Sequence, residues 1–190
     1  MDAGYILPGI LILAVAFVVY TYNRLVSLRN MADTAYANID TLLQKRFDLV
    51  PNLVSTVKGY MRHERELLET ITRARTEWLK ASTIRENAGA DDTAARALKT
   101  LFAVSEKYPE LKANENFMML QEELAGIENK IAYARQRYNR TIMVLNTVIQ
   151  RFPTNLLARL FKFETREFFA VESEKVRAVP NVQMQEGDQK

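Results

Sequence analysis

The stretch Ala3–Asn23, AGYILPGILILAVAFVVYTYN, carries no charged side chain and is bounded by Asp2 and Arg24. Its length and its content of Ile, Leu, Val, Ala, Phe and Tyr predict one helix crossing a bilayer. A cleavable signal peptide would need a basic leading region and a shorter apolar run. Only Met1–Gly4, with Asp2, precedes this one, and cleavage after Ala14-Val15-Ala16 would leave Phe17–Tyr22 as an apolar stub. The segment therefore reads as an uncleaved anchor over residues 1–23. Tyr5 at one end and Tyr20 and Tyr22 at the other suit the two headgroup levels. Arg24 and Arg29 follow the span with nothing basic before it, so the positive-inside rule puts the N-terminus outside and the remainder in the cytoplasm. The expected location is a bacterial inner membrane, with the lipid bilayer as first partner.

No breaker separates the span from Leu25, where a heptad pattern starts. Leu25, Leu28, Ala32, Ala35, Ile39, Leu42, Arg46, Leu49 and Leu53 recur at steps of three and four, the seam of a helix packed lengthwise on another. The series then resumes, offset by one residue, as Val57, Tyr60, Glu64, Leu67, Ile71, Ala74 and Trp78. Pro51 lies at the slip, where a missing N–H and a ring clash would kink a helix. Asp48, Pro51 and Asn52 are thus expected to shape a kink, with a moving hinge as the alternative. One kinked helix over Arg24–Ser82 would be about 90 Å long at 1.5 Å per residue.

The NAGADD stretch, Asn87–Asp92, reads as the far turn, with Asp91 or Asp92 capping a helix over Thr93–Lys107. A second seam runs through Phe117, Leu120, Leu124, Ile127, Ile131, Ala134, Tyr138, Thr141, Leu145, Val148 and Phe152. Folding the second half back on the first gives an all-α fold, an N-terminal transmembrane helix continuing into an elongated antiparallel helical hairpin or bundle over residues 24–175. Tyr138, Asn139 and Asn146 are then expected to meet Asn23 at the stalk base. A last helix, Thr154–Glu174, presents Leu, Phe, Arg and Lys side chains suited either to a core or to a membrane surface. Residues 176–190 are polar and read as a disordered tail.

The chain has 26 Lys and Arg, 23 Asp and Glu, one histidine and no cysteine. Without a concentrated basic block there is no nucleic-acid footprint, and without cysteine there is no disulfide, thiolate metal site or cysteine nucleophile. His63-Glu64 begins like a zinc-protease helix, but Leu67 stands where the second histidine belongs. A di-iron bundle fails for the same lack of a second histidine. Neither a phosphate loop nor a nucleophile elbow occurs. No cofactor and no enzymatic activity is expected. Arg46, Glu64, Glu128 and Arg135 stand at or beside seam positions, where buried charges need partners. They read as paired layers fixing register, with a ligand or partner site as the alternative.

Tyr22-Asn23, Arg46-Phe47-Asp48-Leu49-Val50-Pro51-Asn52-Leu53-Val54, Lys58-Gly59-Tyr60, His63-Glu64, Glu106-Lys107-Tyr108-Pro109-Glu110-Leu111, Gln121, Glu128, Ala134-Arg135, Tyr138-Asn139, Asn146 and Phe152-Pro153 together resemble the LemA family of bacterial proteins. The resemblance runs from about Tyr22 to Phe169. It implies a small single-pass membrane protein, N-terminus outside, with an elongated antiparallel helical domain in the cytoplasm. It also implies a relation to a protein needed for magnetosome formation in magnetotactic bacteria, and it supplies no enzymatic mechanism. The function expected is a membrane-anchored scaffold or adaptor that forms homo-oligomers or recruits a membrane partner. The alternatives are a regulator of a membrane protease and a membrane-remodelling protein acting through residues 154–174.

Overall fold

The computed structural model describes residues 6–170, so Tyr5, the end of the 154–174 segment and the tail at 176–190 lie outside the described residues. Among the described residues six helices follow one another: α1 Ile6–Val57, α2 Arg65–Lys80, α3 Ile84–Ser105, α4 Pro109–Lys112, α5 Glu115–Gln150 and α6 Thr154–Leu160. α1 has 52 residues, about 78 Å at the α-helical rise. Its N-terminal part is long and apolar enough to cross a membrane. Its side chains there are exposed, as Leu11, Leu13 and Val15 illustrate, which suits lipid rather than a protein core.

Beyond the span α1 buries Leu25, Ala32, Ala35, Ile39, Leu43, Phe47, Val50, Leu53 and Val57. The seam is narrow up to Ile39 and then widens to take in Arg46 and Phe47 together, because α2 and α3 join α5 against this half of the helix. α5 runs antiparallel to α1. Tyr36 lies beside Tyr138, and Arg46 pairs with Glu128, so rising numbers on one helix meet falling numbers on the other. α5 buries its expected seam from Phe117 to Tyr138, then Ile142, Leu145, Val148 and Ile149. Phe152, expected to close that seam, is exposed.

The single helix expected over Arg24–Ser82 is two helices. α1 passes through Pro51 without a break and ends at Val57, and the chain turns through residues 58–64 before α2 leads back along α1. Pro51 has no N–H for the Phe47 carbonyl one turn earlier. Arg75 of α2 supplies the missing donor, its Nε lying 3.1 Å from that carbonyl oxygen. Phe47 stacks on Trp78 at 5.0 Å between centroids. The proline therefore leaves a carbonyl that α2 docks on.

NAGADD is not a turn. It lies inside α3, which begins at the Thr83 N-cap with a reciprocal capping box between Thr83 and Glu86. The Glu86 carboxylate accepts from the Ser82 and Thr83 backbone N–H groups at 2.7 and 3.1 Å, which holds its pKa below the usual carboxylate value. A depressed acid pKa adds stability above the unfolded value and loses it as pH falls through the folded one. The protection factors of the amides at residues 86–88, which correct for the intrinsic slowing of exchange at lower pH, should accordingly fall on acidification. Glu86→Gln should remove that pH response, and an unchanged response would contradict the assignment.

The last helix is seven residues rather than a run to Glu174. Lys162 adopts φ 56°, Lys162 N–H donates to Arg159 O, and Phe163 N–H donates to Ala158 O. This bonding pair closes a helix with a left-handed residue, a place usually taken by glycine. The chain from 161 to 170 then runs as an irregular strap back along α1 and α5.

Candidate functional site

Two polar clusters tie the long helices together. The first stands where α1, α3 and α5 meet. Arg46 is 1% exposed and Asp91 fully buried, and their side chains are hydrogen-bonded. Arg46 also pairs with Glu128, and Arg135 with the second oxygen of Asp91. Two guanidiniums and two carboxylates thus form one neutral layer. Burial pushes the Asp91 carboxyl up despite both arginines, and lowers the Arg46 guanidinium despite Asp91. The Nε atoms of Arg46 and Arg135 have no hydrogen-bond partner among the described residues. One turn before Asp91, the Asn87 side-chain amide donates to the Tyr36 hydroxyl at 2.6 Å.

Of the seam residues expected to pair, Arg46, Glu128 and Arg135 come together here. Glu64 does not. It lies in the turn after α1, half-buried, with the Tyr108 hydroxyl donating to it at 3.5 Å. Asp91, the centre of the layer, was missed because NAGADD reads as a turn. The Thr83-x-x-Glu86 capping-box spacing was the available signal. Starting the helix there puts Asn87, Asp91, Ala94, Leu98 and Leu101 on one face. Asp48 and Asn52 are exposed on the outside of α1 near Pro51.

The second cluster holds the strap. Asn146 donates to Arg166 O and accepts from Arg166 N–H, both at 2.9 Å. Asn139 does the same with Phe169, at 3.2 and 2.8 Å. The Tyr138 hydroxyl donates to Glu167 O at 3.0 Å, and burial pushes its pKa up to about 12. Arg166 pairs with Asp33 of α1. Phe169 is buried, and the Arg135 guanidinium lies 5.0 Å from its ring centroid, so strap and charged layer share one residue. Asn23, expected to join this group, is exposed on α1 and makes no side-chain hydrogen bond among the described residues. Its predicted partners face the strap instead. Tyr22 does reach the returning chain, its ring edge-on to Phe161 and Phe163.

Among the described residues no group of three or more His, Asp or Glu is placed to hold a metal ion. His63 and Glu64 lie in the turn between α1 and α2 rather than on a helix face. The polar residues are used to fasten helices to one another, and Arg24 and Arg29 stand exposed just past the span.

Such an arrangement defines a class: a helical bundle whose spine continues an N-terminal apolar helix long enough to cross a membrane. The chain belongs to the LemA family, whose pattern matches residues 35–184. It is 24% identical over 181 residues to "Magnetosome protein MamQ 2" of Paramagnetospirillum magneticum, covering 82% of this chain and 66% of that protein. It is 24% identical over 174 residues to "Magnetosome protein MamQ" of Magnetospirillum gryphiswaldense, covering 78% and 64%. "Protein LemA" of Metamycoplasma hominis is 27% identical over 183 residues, covering 90% and 80%. The chain thus spans just under two thirds of the length of the magnetosome relatives it matches.

Proposed function

We propose that this membrane-associated helical protein is a non-enzymatic scaffold, standing on the cytoplasmic side of a bacterial inner membrane and binding another helix along its length. The observation that carries the reading is an open furrow between α1 and α5. One part, of about 490 Å³, runs along Ala35, Asn38, Leu42, Tyr133 and Arg137. The next, of about 520 Å³, shares Ala35, Asn38 and Arg137 and continues toward the membrane past Asn23 and Val26. Among the described residues only α1 and α5 line it. Met31 and Tyr133 are exposed in or beside it, and small residues on its floor let a partner backbone approach closely. Arg24 and Arg29 on the membrane-proximal flank support the cytoplasmic placement by the positive-inside rule.

The occupant favoured is a second copy of this chain, with a membrane protease or another membrane protein as the other candidate. Full-length protein purified in mild detergent should be larger than a monomer or carry a membrane protein with it. Asn38→Trp fills the furrow from an exposed position, and should reduce the particle to a monomer with its helix content intact. A strictly monomeric wild-type protein with no co-purifying partner would overturn the proposal.

A further inference from the structure

The membrane-proximal end of the bundle carries an apolar stripe that no part of the described chain covers. Phe152, Leu156 and Leu160 follow one another at four-residue intervals and are 76%, 57% and 70% exposed. On α6 that spacing puts the two leucines on one face, while Ala158 faces the core. The height of the stripe relative to lipid is set by α1. Tyr22 lies one residue before Asn23, the end of the uncharged run, and two before Arg24, and its ring lies 4.9 Å from Phe161 and 6.0 Å from Phe163. The end of α6 is therefore level with the end of the span, where aromatic rings sit among headgroups.

Charge points the same way. Arg151, Arg159 and Lys162 are all exposed around the stripe, and no acidic residue occurs between Gln150 and Phe163. Lys162 occupies the left-handed position that ends α6, where glycine would be less strained. A cation stands there instead.

We propose that Phe152, Leu156 and Leu160, ringed by Arg151, Arg159 and Lys162, form a foot seated in the headgroup layer of the anionic bilayer that α1 crosses. Short amphipathic segments with apolar and basic faces lie in the interface in this way, and their cations are drawn to anionic lipid. The foot gives the rod a second attachment to the membrane beside α1, and so sets the angle at which the bundle stands. This goes beyond the scaffold reading and does not depend on any protein partner.

The chain has no cysteine, so single labels can be placed on the full-length protein. Leu156→Cys and Leu160→Cys carry an environment-sensitive fluorophore, and Met118→Cys, exposed at the start of α5, is the distal control. The proteins are reconstituted in nanodiscs of phosphatidylcholine, with or without phosphatidylglycerol and with a headgroup-level lipid quencher. The expected result is blue-shifted emission and loss of most signal to the quencher at 156 and 160, with little of either at 118. The effect should be larger with phosphatidylglycerol, and Arg151→Gln/Arg159→Gln/Lys162→Gln should remove that increment. Labels at 156 and 160 as wet as at 118 would overturn the proposal. So would labels shielded from water yet untouched by the lipid quencher, which would mean that protein covers the stripe. Equal quenching in both lipids would overturn its electrostatic part.

Discussion

Asp91→Ala should cost about 3–5 kcal/mol of folding stability, the usual penalty for removing one partner from a buried ion pair. The carboxylate is fully buried between Arg46 and Arg135, and its loss leaves two guanidiniums facing each other with Glu128 alone to balance them. For a domain of this size the melting temperature should fall by on the order of 10 °C. The sharper expectation concerns the pair. Asp91→Leu combined with Arg46→Met removes both fully buried charges, one of each sign, and leaves Arg135 and Glu128 as partly exposed charges that water can reach, so the double variant should be more stable than either single one. Denaturant unfolding of the full chain gives all four values of the cycle. Single losses below about 1 kcal/mol that simply add would mean that the layer does not couple α1, α3 and α5.

Freeing the strap should have the next largest effect, and a local one. Asn139→Ala/Asn146→Ala deletes four hydrogen bonds to the backbone of Arg166 and Phe169. At about 1 kcal/mol each, the strap loses roughly 4 kcal/mol of docking. Since 1.4 kcal/mol is a factor of ten, exchange of the Arg166 and Phe169 amides should accelerate by about two to three orders of magnitude. Both amides donate to the deleted side chains, so they report the loss directly. Exchange within α5 itself should change little, and unaltered protection at 166 and 169 would show that the strap is held by Phe169 and the Asp33 ion pair instead.

The apolar helix long enough to cross a membrane was legible from its uncharged run, and its continuation as a spine and the antiparallel return of α5 from apolar residues at steps of three and four repeated over many turns. Where reading failed, a local cue was outweighed by an unseen neighbour. A seam that resumes beyond Pro51 suggested one helix as far as Ser82, but the chain turns at residues 58–64, and Arg75 of the returning α2 bonds the carbonyl that the proline strands. Gly89 and the paired aspartates of NAGADD suggested a turn, yet a capping box upstream and two buried arginines keep the segment helical. The strap was invisible for a different reason. Residues 161–170 have helical composition, and only Lys162 in a left-handed conformation, together with three α5 side chains reaching their backbone, makes them irregular. Arg46, Glu128 and Arg135 could be picked out as charges on a seam, but Asp91, the partner that the two arginines share, could not.

Distances between spin labels at residues 15 and 45, both exposed on α1 and placed on either side of Arg24, in the full chain reconstituted in nanodiscs, test most directly whether the apolar segment and the spine are one helix. A continuous α1 puts 30 residues of rise between the labels, about 45 Å, in a single narrow distribution, while a second pair at 24 and 151 should be close because α5 returns to the membrane. A broad distribution or a markedly shorter distance between 15 and 45 would mean that the helix breaks where it leaves the membrane, and the architecture described here would be wrong.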